Sequence, residues 1–269
     1  MLQAIRRSPW LLSGDALAQR HDEELLLVSL PHSQRRVALP YARLKPLLAA
    51  LGELFIGETE EIGTRVRLAR ADAARLNTLQ QGPALNWQGG IELREFARRL
   101  QHTTQQEVSA PDDLNAQLRP YQLQGLGWMQ ALGELEVGGV LADDMGLGKT
   151  LQTLAHILLE KQNGRLRQPA LIVMPTSLIP NWQDEAARFA PTLKVLALHG
   201  SKRRSGFKLI AEHDIVLTTY ALLPRDLKAL TAQRFHLLIL DEAQSIKNPR
   251  SKAALAAGQI NARQRLCLS

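Results

Sequence analysis

The chain has 269 residues, 45% of them apolar and 22% charged, which is enough for one large globular domain or two ordinary ones. Its 33 basic and 26 acidic residues give a formal net charge of +7, which favours a polyanionic partner. The single cysteine excludes an internal disulfide and a cysteine-rich zinc site, and no apolar run approaches the roughly 18 residues of a membrane-spanning helix. We therefore expect a protein of a reducing, cytoplasmic compartment that has no membrane partner.

Residues 1–100 mix strand-like and helical patterns without a motif that indicates chemistry. An apolar run predicts a strand over 24–30, and alternating residues predict a second strand over 64–68. Apolar residues at helical spacing predict three helices, over 42–55, 71–80 and 91–101. We interpret this part of the chain as a small α+β accessory region of unknown role.

A polar segment over 101–114 contains Pro111 and has no periodicity, so it is predicted to be a linker. Beyond it, over 115–269, short apolar runs alternate with helical stretches. Continuous apolar strands between helices are typical of a parallel sheet covered by helices on both faces, which predicts an α/β domain. The predicted strands include 140–141, 170–174, 195–198, 215–217 and 237–240.

The segment 143–150, Asp-Asp-Met-Gly-Leu-Gly-Lys-Thr, lies between a short strand and an amphipathic helix. This is the context of a phosphate-binding loop, in which glycines let backbone N–H groups point at phosphate oxygens. Asp143 departs from the general pattern, which has glycine at the first position. The alternative interpretation is an ordinary strand–helix turn that contains glycine. The predicted ATP-binding residues of the loop are Asp143, Met145, Gly146, Leu147, Gly148, Lys149 and Thr150, with Lys149 on the β- and γ-phosphates and the Thr150 hydroxyl on Mg²⁺.

A second candidate site follows the apolar run 235–240, which leads directly into Asp241 and Glu242. Ligands of parallel sheets bind at the carboxyl ends of the strands, where these two acids are expected. Asp241 is predicted to hold Mg²⁺, and Glu242 to accept a proton from the attacking water. The alternative is a solvated acidic start of a helix, a position that acids favour.

Taken together, 143–150 and the Asp-Glu-Ala-Gln box that opens 241–248 resemble the Swi/Snf-type family of helicase-like ATPases, within helicase superfamily two. Aspartate at the first loop position is usual in that family. Three further segments match its motifs in order: 118–128, 174–185 and 216–220. The resemblance implies a RecA-like lobe over 115–269, in which Gln122 reads the adenine edge of ATP. It also implies contacts with a DNA phosphate strand by Thr176, Ser177, Asn181, Thr218 and Thr219.

Each role implied by the resemblance has a structural alternative. Gln122 could cap a helix, and Thr176 and Ser177 could be turn residues after a strand. Trp128 and Trp182 are interpreted as packing residues rather than as platforms for DNA bases. The basic loop over 202–208 is interpreted as solvated, although it could contact DNA.

For the parent protein, the resemblance implies an ATP-driven translocase on double-stranded DNA or a remodeller of protein–DNA complexes, associated with a bacterial nucleoid. It further implies that residues 1–269 end within the strand before motif III, and that a second motor lobe with an arginine finger is missing. This chain alone is therefore expected to bind ATP but to hydrolyse it poorly. Two alternatives stay open: a non-catalytic nucleotide-binding or docking module, and the motor part of a restriction-type enzyme.

Overall fold

The computed structural model describes residues 19–29, 36–45, 61–62, 65–66, 95–96, 98–99, 108–144 and 146–269. The chain divides into two compact units, Met1–Gln101 and His102–Ser269. Among the described residues, no helix has both the length and the apolar character that crossing a membrane requires.

The first unit contains two antiparallel strand pairs in its described part. Strand β1 (Leu25–Ser29) pairs with β2 (Arg36–Pro40), and β3 (Glu61–Ile62) pairs with β4 (Arg65–Val66). The two predicted strands are thus present. Residues 41–45 are helical, as are 95–96 and 98–99, whereas the helix predicted over 71–80 lies outside the described residues.

The second unit is built on a six-stranded parallel sheet, as the apolar runs predicted. Its strands lie side by side in the order β5, β10, β9, β6, β8, β7. In chain order they are β5 (Gly139–Leu141), β6 (Ala170–Met174), β7 (Val195–Ala197), β8 (Ile215–Thr219), β9 (Phe235–Leu240) and β10 (Ala262–Leu268). Strands β6, β8 and β9 are buried along their whole length, which is why their sequences read as continuous apolar runs.

Helices flank this sheet and connect its strands. They are α1 (Pro120–Glu134), α2 (Lys149–Gln162), α3 (Ile179–Phe189), α4 (Leu227–Thr231) and α5 (Lys252–Gln259). More tightly wound 3₁₀ segments cover Thr176–Leu178, Ser201–Glu212 and Ala243–Ile246. The Ser251 hydroxyl caps α5 by accepting a hydrogen bond from the Ala254 amide.

Residues 108–118, near the start of the second unit, contain no helix or strand, but they pack on the rest of that unit. Leu114 and Leu118 are buried, and the Asn115 amide donates to the Phe189 carbonyl at 2.8 Å. The second half of the predicted linker is therefore anchored to the parallel-sheet unit. The first half of the predicted linker, 101–107, lies outside the described residues.

Candidate nucleotide site

The order of the strands brings the glycine loop and the two acids to one edge of the sheet. Strand β10 lies between β5 and β9, and its Cys267 pairs with Val140 on one side and Leu240 on the other. Neighbouring strands are about 4.8 Å apart, so β5 and β9 are separated by about 10 Å. The loop that follows β5 and the acids that follow β9 therefore lie close together at the carboxyl edge of the sheet.

The loop adopts the backbone conformation that its glycines predicted. Gly146 has φ of +84° and Gly148 has φ of +76°, both in the left-handed region that side chains disfavour. At Gly148 an added Cβ would also lie 2.7 Å from the Gln122 Nε2 atom. Met145, which was predicted to take part in ATP binding, lies outside the described residues.

Lys149 begins α2, and its ammonium group folds back over the loop. Its Nζ atom donates to the carbonyl oxygens of Asp143, at 2.6 Å, and Asp144, at 3.3 Å. Thr150 follows it in the first turn of α2, where the helix end carries partial positive charge. Phosphate oxygens are charged acceptors and bind an ammonium more strongly than neutral carbonyls do. The arrangement can therefore exchange these two internal contacts for a phosphate.

Gln122 holds the loop from α1. Its Oε1 atom accepts from the Arg119 amide at 2.9 Å, at the start of α1, and its Nε2 atom donates to the Leu147 carbonyl at 3.1 Å. The Tyr121 hydroxyl donates to the same carbonyl at 3.2 Å. The capping role that the sequence left open is thus present, and Gln122 also fixes the loop. Adenine recognition by Gln122 stays a prediction.

Sequence reasoning missed a second support of the loop, Gln152. This residue is fully buried on α2, and its Nε2 atom donates to the Asp143 carboxylate at 3.0 Å. The unusual aspartate at the first loop position therefore has a structural partner three residues beyond Lys149. The apolar stripe of α2 gave no sign of this contact because Gln152 does not belong to the stripe.

Asp241 is buried, with 7% of its surface exposed, and each of its oxygens is held. Oδ2 accepts from the Trp182 indole at 2.8 Å, Oδ1 accepts from the Glu242 amide at 2.9 Å, and the main-chain oxygen accepts from the Tyr220 hydroxyl at 2.7 Å. Burial raises the pKa of the Asp241 carboxyl, and the hydrogen bonds from Trp182 and Glu242 and the charge of Lys149 counter this only in part. In this environment a nearby cation would stabilise the ionised carboxylate.

Glu242 has an unusual backbone conformation for a residue with a side chain. Its φ is +51° and its ψ is +53°, in the left-handed region. Such strain persists only where the surroundings enforce it, and it is concentrated at functional sites. Its carboxylate accepts a hydrogen bond from the Gln244 side chain, which in turn accepts one from the Ser269 hydroxyl at 3.3 Å. The Asp-Glu-Ala-Gln box is therefore tied to the end of β10.

The residues predicted to contact DNA fall into two groups. Thr176, Ser177 and Asn181 are exposed. Thr218 and Thr219 are only 1% and 2% exposed, because β8 extends two residues further than predicted and is covered on both faces. Their side chains are therefore enclosed in the sheet, and the contact of this second group with a DNA phosphate strand stays a prediction.

The two tryptophans are packing residues, as interpreted from the sequence. Trp182 is 1% exposed, and the Trp128 ring lies against Gly139, where an added Cβ would approach it to 2.6 Å. The contact between Trp182 and Asp241 was not predicted, since 59 residues separate the two positions.

The donor set fits a magnesium ion that arrives with a nucleotide. In the part of the chain that the structure describes, no group of three or more His, Cys, Asp or Glu side chains could hold a metal ion. Mg²⁺ keeps several waters and is typically bound by one or two carboxylates together with substrate phosphates. The Asp241 carboxylate, with the Thr150 hydroxyl on the loop that would hold the phosphates, satisfies that requirement.

Comparison with known proteins agrees with this architecture. Residues 121–269 match the SNF2-related domain family. The chain is 39% identical over 184 residues to a putative ATP-dependent helicase/translocase of Bacillus subtilis, YwqA, covering 66% of this chain and 20% of that protein. It is 40% identical over 171 residues to helicase SWR1 of Saccharomyces cerevisiae, covering 61% of this chain and 11% of the relative.

Two solved structures are similar as well. The SWI2/SNF2 ATPase core of Sulfolobus solfataricus in complex with double-stranded DNA superimposes with a TM-score of 0.57 at 39% identity, over 61% of this chain and 34% of that one. The SWI2/SNF2 ATPase core domain of the same organism gives a TM-score of 0.55 at 40% identity, over 61% of this chain and 33% of that one. Since the family match covers more than half of the sequence and the fold agrees, the chain belongs to the SNF2-related family, of the Swi/Snf type within helicase superfamily two.

Proposed function

We propose that this chain is the ATP-binding lobe of a DNA-dependent ATPase that moves along double-stranded DNA or remodels protein–DNA complexes. The observation that carries the proposal is the meeting of the Lys149 loop and the Asp241–Glu242 pair at one edge of the sheet, separated by a single strand. The helicase and translocase names of the relatives support it, as does the similar ATPase core that was solved in complex with double-stranded DNA.

In this proposal different residues of the chain have different roles in phosphoryl transfer. Lys149 and the backbone N–H groups at the start of α2 hold the phosphates, while the Thr150 hydroxyl and the Asp241 carboxylate hold Mg²⁺. The magnesium ion, when bound, offsets negative charge on the phosphates. Glu242, oriented by Gln244, takes the proton of the attacking water.

The DNA side of the proposal uses the same edge of the sheet. Thr176, Ser177 and Asn181 follow β6, retain exposed surface, and lie next to the segment that packs on Asp241. Hydroxyl and amide groups such as these commonly contact phosphates, which position a protein on DNA without reading its sequence. The net charge of +7 favours the same partner. A second motor lobe would supply the other half of the track and an arginine for the transition state.

A titration with a fluorescent ATP analogue and Mg²⁺ tests the nucleotide site, with Lys149→Ala as the variant and Lys161→Ala as the matched control. Both lysines lie on α2, but the Lys161 ammonium group binds the Asp214 carboxylate at 2.7 Å, and Lys161 is near the far end of the helix. We expect saturable binding by the wild type and by Lys161→Ala. We expect the affinity of Lys149→Ala to fall at least about tenfold, or ~1.4 kcal/mol. Equal binding by all three proteins would overturn the proposal.

A further inference from the structure

Asp241 is held in place by β6, by the residue that follows β8, and by α3. Its main-chain amide donates to the Val173 carbonyl of β6 at 2.9 Å, and its main-chain oxygen accepts from Tyr220, directly after β8. Its side chain is held from α3 by Trp182, whose indole N–H is 2.8 Å from Oδ2. A buried indole N–H needs an acceptor, and a carboxylate is the strongest that a protein offers. Trp182 therefore fixes which way the carboxylate faces.

The indole is part of the structural segment that presents the groups proposed to contact DNA. Thr176 and Ser177 lie in the short 3₁₀ turn directly before α3, and Asn181 lies in the first turn of α3, next to Trp182. Consecutive helical residues point about 100° apart, so Asn181 is exposed while Trp182 is buried. A DNA phosphate strand bound at the exposed side would contact the same short helix whose buried side holds Asp241.

This contact leaves the acid able to take another partner. A carboxylate has about four lone-pair positions, and the structure gives the Asp241 side chain two donors, the indole N–H and the Glu242 amide. Both donors are neutral, so neither replaces a cation. A small rotation of α3 would change the direction of Oδ2 without unfolding anything, because the helix is a rigid element of 11 residues.

We propose that Trp182 is a positioning residue that couples DNA binding at the start of α3 to nucleotide binding at the Asp241 carboxylate. This inference rests on the proposed function, since it requires both ligands. Trp182 is only 1% exposed, so it would act through the carboxylate that it orients rather than by touching either ligand. Removing the indole N–H while keeping an aromatic ring should break the communication between the two sites and leave each site able to bind.

The test measures a coupling constant rather than turnover. The affinity of the chain for the fluorescent ATP analogue with Mg²⁺ is determined with and without a short random-sequence DNA duplex, at about 50 mM salt, where phosphate contacts are strong. Coupling between two sites typically changes affinity by about 5- to 150-fold, and DNA affinity must change by the same factor when nucleotide is added. We expect DNA to change the nucleotide affinity of the wild type by a factor in that range. We expect it to change the nucleotide affinity of Trp182→Phe by less than about twofold.

Ile210→Val is the matched control, because Ile210 is buried in the same unit, belongs to its hydrophobic core, and has no hydrogen bond to Asp241. It should keep the wild-type coupling, and thermal unfolding of both variants shows how much each has lost in stability. Wild-type coupling that persists in Trp182→Phe would overturn the inference and leave the proposed function intact. A wild type that binds nucleotide but shows no response to DNA would overturn both the inference and the DNA part of the proposed function.

Discussion

Two buried carboxylates of the second unit, Glu160 and Asp241, lie in opposite electrostatic surroundings. Near the end of α2, the Glu160 carboxylate accepts from the Arg165 guanidinium through Oε1, and its Oε2 atom is 2.6 Å from His236 Nε2. Burial alone would raise the pKa of Glu160, but the hydrogen bonds from His236 and Arg165 outweigh it and lower this pKa to about 2. Gln130 closes the cluster by bonding to both His156 and Arg165.

Among the described residues, Asp241 has no cation as a hydrogen-bond partner; its side chain accepts from an indole and a peptide N–H, and burial raises the pKa of its carboxyl. The difference separates an acid whose charge is compensated within the fold from one that is a candidate for a functional role. The charge of Glu160 is compensated inside the protein. The charge of Asp241 has no such partner among the described residues, which is what the proposed nucleotide site requires of an acid that would take an external cation.

The largest expected effect compares two isosteric substitutions, Glu160→Gln and Asp241→Asn. The first removes the charge that compensates Arg165, so we expect a loss of about 3 kcal/mol in the free energy of unfolding. The second removes a buried charge that has no cation as a hydrogen-bond partner; its amide oxygen can still accept from Trp182, but its NH2 group cannot accept from the Glu242 amide, so we expect a smaller loss of about 1 kcal/mol. Urea unfolding measures both values. Equal losses would contradict the claim that only the Glu160 charge is compensated within the protein.

The candidate nucleotide site also differs from the Glu160 cluster in its backbone, because its loop contains two glycines in the left-handed conformation. Alanine in the left-handed region costs about 1 kcal/mol, which is the loss of stability we expect for Gly146→Ala, since its added Cβ meets nothing within 4 Å. For Gly148→Ala we expect about 2 kcal/mol, because its Cβ also displaces the Gln122 amide. Thermal unfolding of the pair checks the order; a larger loss for Gly146→Ala would show that Gln122 does not constrain the loop.

The smallest expected effect is a pH dependence that originates in the Glu160 cluster. Burial lowers the pKa of His156 from 6.5 to about 4, so the unfolded chain takes up a proton at a pH where the folded protein does not. Stability present above pH 6.5 is therefore lost as the pH falls toward 4, by about 1 kcal/mol between pH 6 and pH 5. Chemical unfolding at the two pH values measures the loss.

His156→Gln is the control for that dependence, since glutamine has no titratable group and can still bond to Gln130. The variant should lose most of the difference between pH 6 and pH 5. Asp241 acts with the opposite sign, because stability linked to a raised carboxyl pKa is present at low pH and lost as the pH rises. An unchanged slope in His156→Gln would mean that another group controls the transition.

The parallel sheet and the two motifs of the site could be predicted from sequence because they depend on local patterns. A run such as Ala170–Met174 is apolar throughout only when both of its faces are covered, and the two loop glycines mark left-handed turns. The order of the strands could not be predicted this way. It is the order that puts β10 between the loop and the acids and so makes one site out of two motifs.

What sequence reasoning missed are contacts between residues far apart in the chain. The indole of Trp182 on Asp241 and the amide of Gln152 on Asp143 follow from packing, and neither is encoded in a periodicity. The burial of Thr218 and Thr219 was not foreseen because the apolar run predicted a strand that ended at Leu217, and their contact with DNA stays a prediction. A threonine in a central strand is buried by its neighbours whatever its polarity.

The magnesium dependence of nucleotide binding tests the central claim most directly. The fluorescent ATP analogue is titrated into the wild type and Asp241→Asn, each with excess EDTA and with excess Mg²⁺. If the carboxyl edge of the sheet is a nucleotide site in which Asp241 awaits a cation, Mg²⁺ should tighten wild-type binding about tenfold or more and change the binding of Asp241→Asn less than about twofold. The same tightening in both proteins would contradict the account, because the ion would then be held without Asp241.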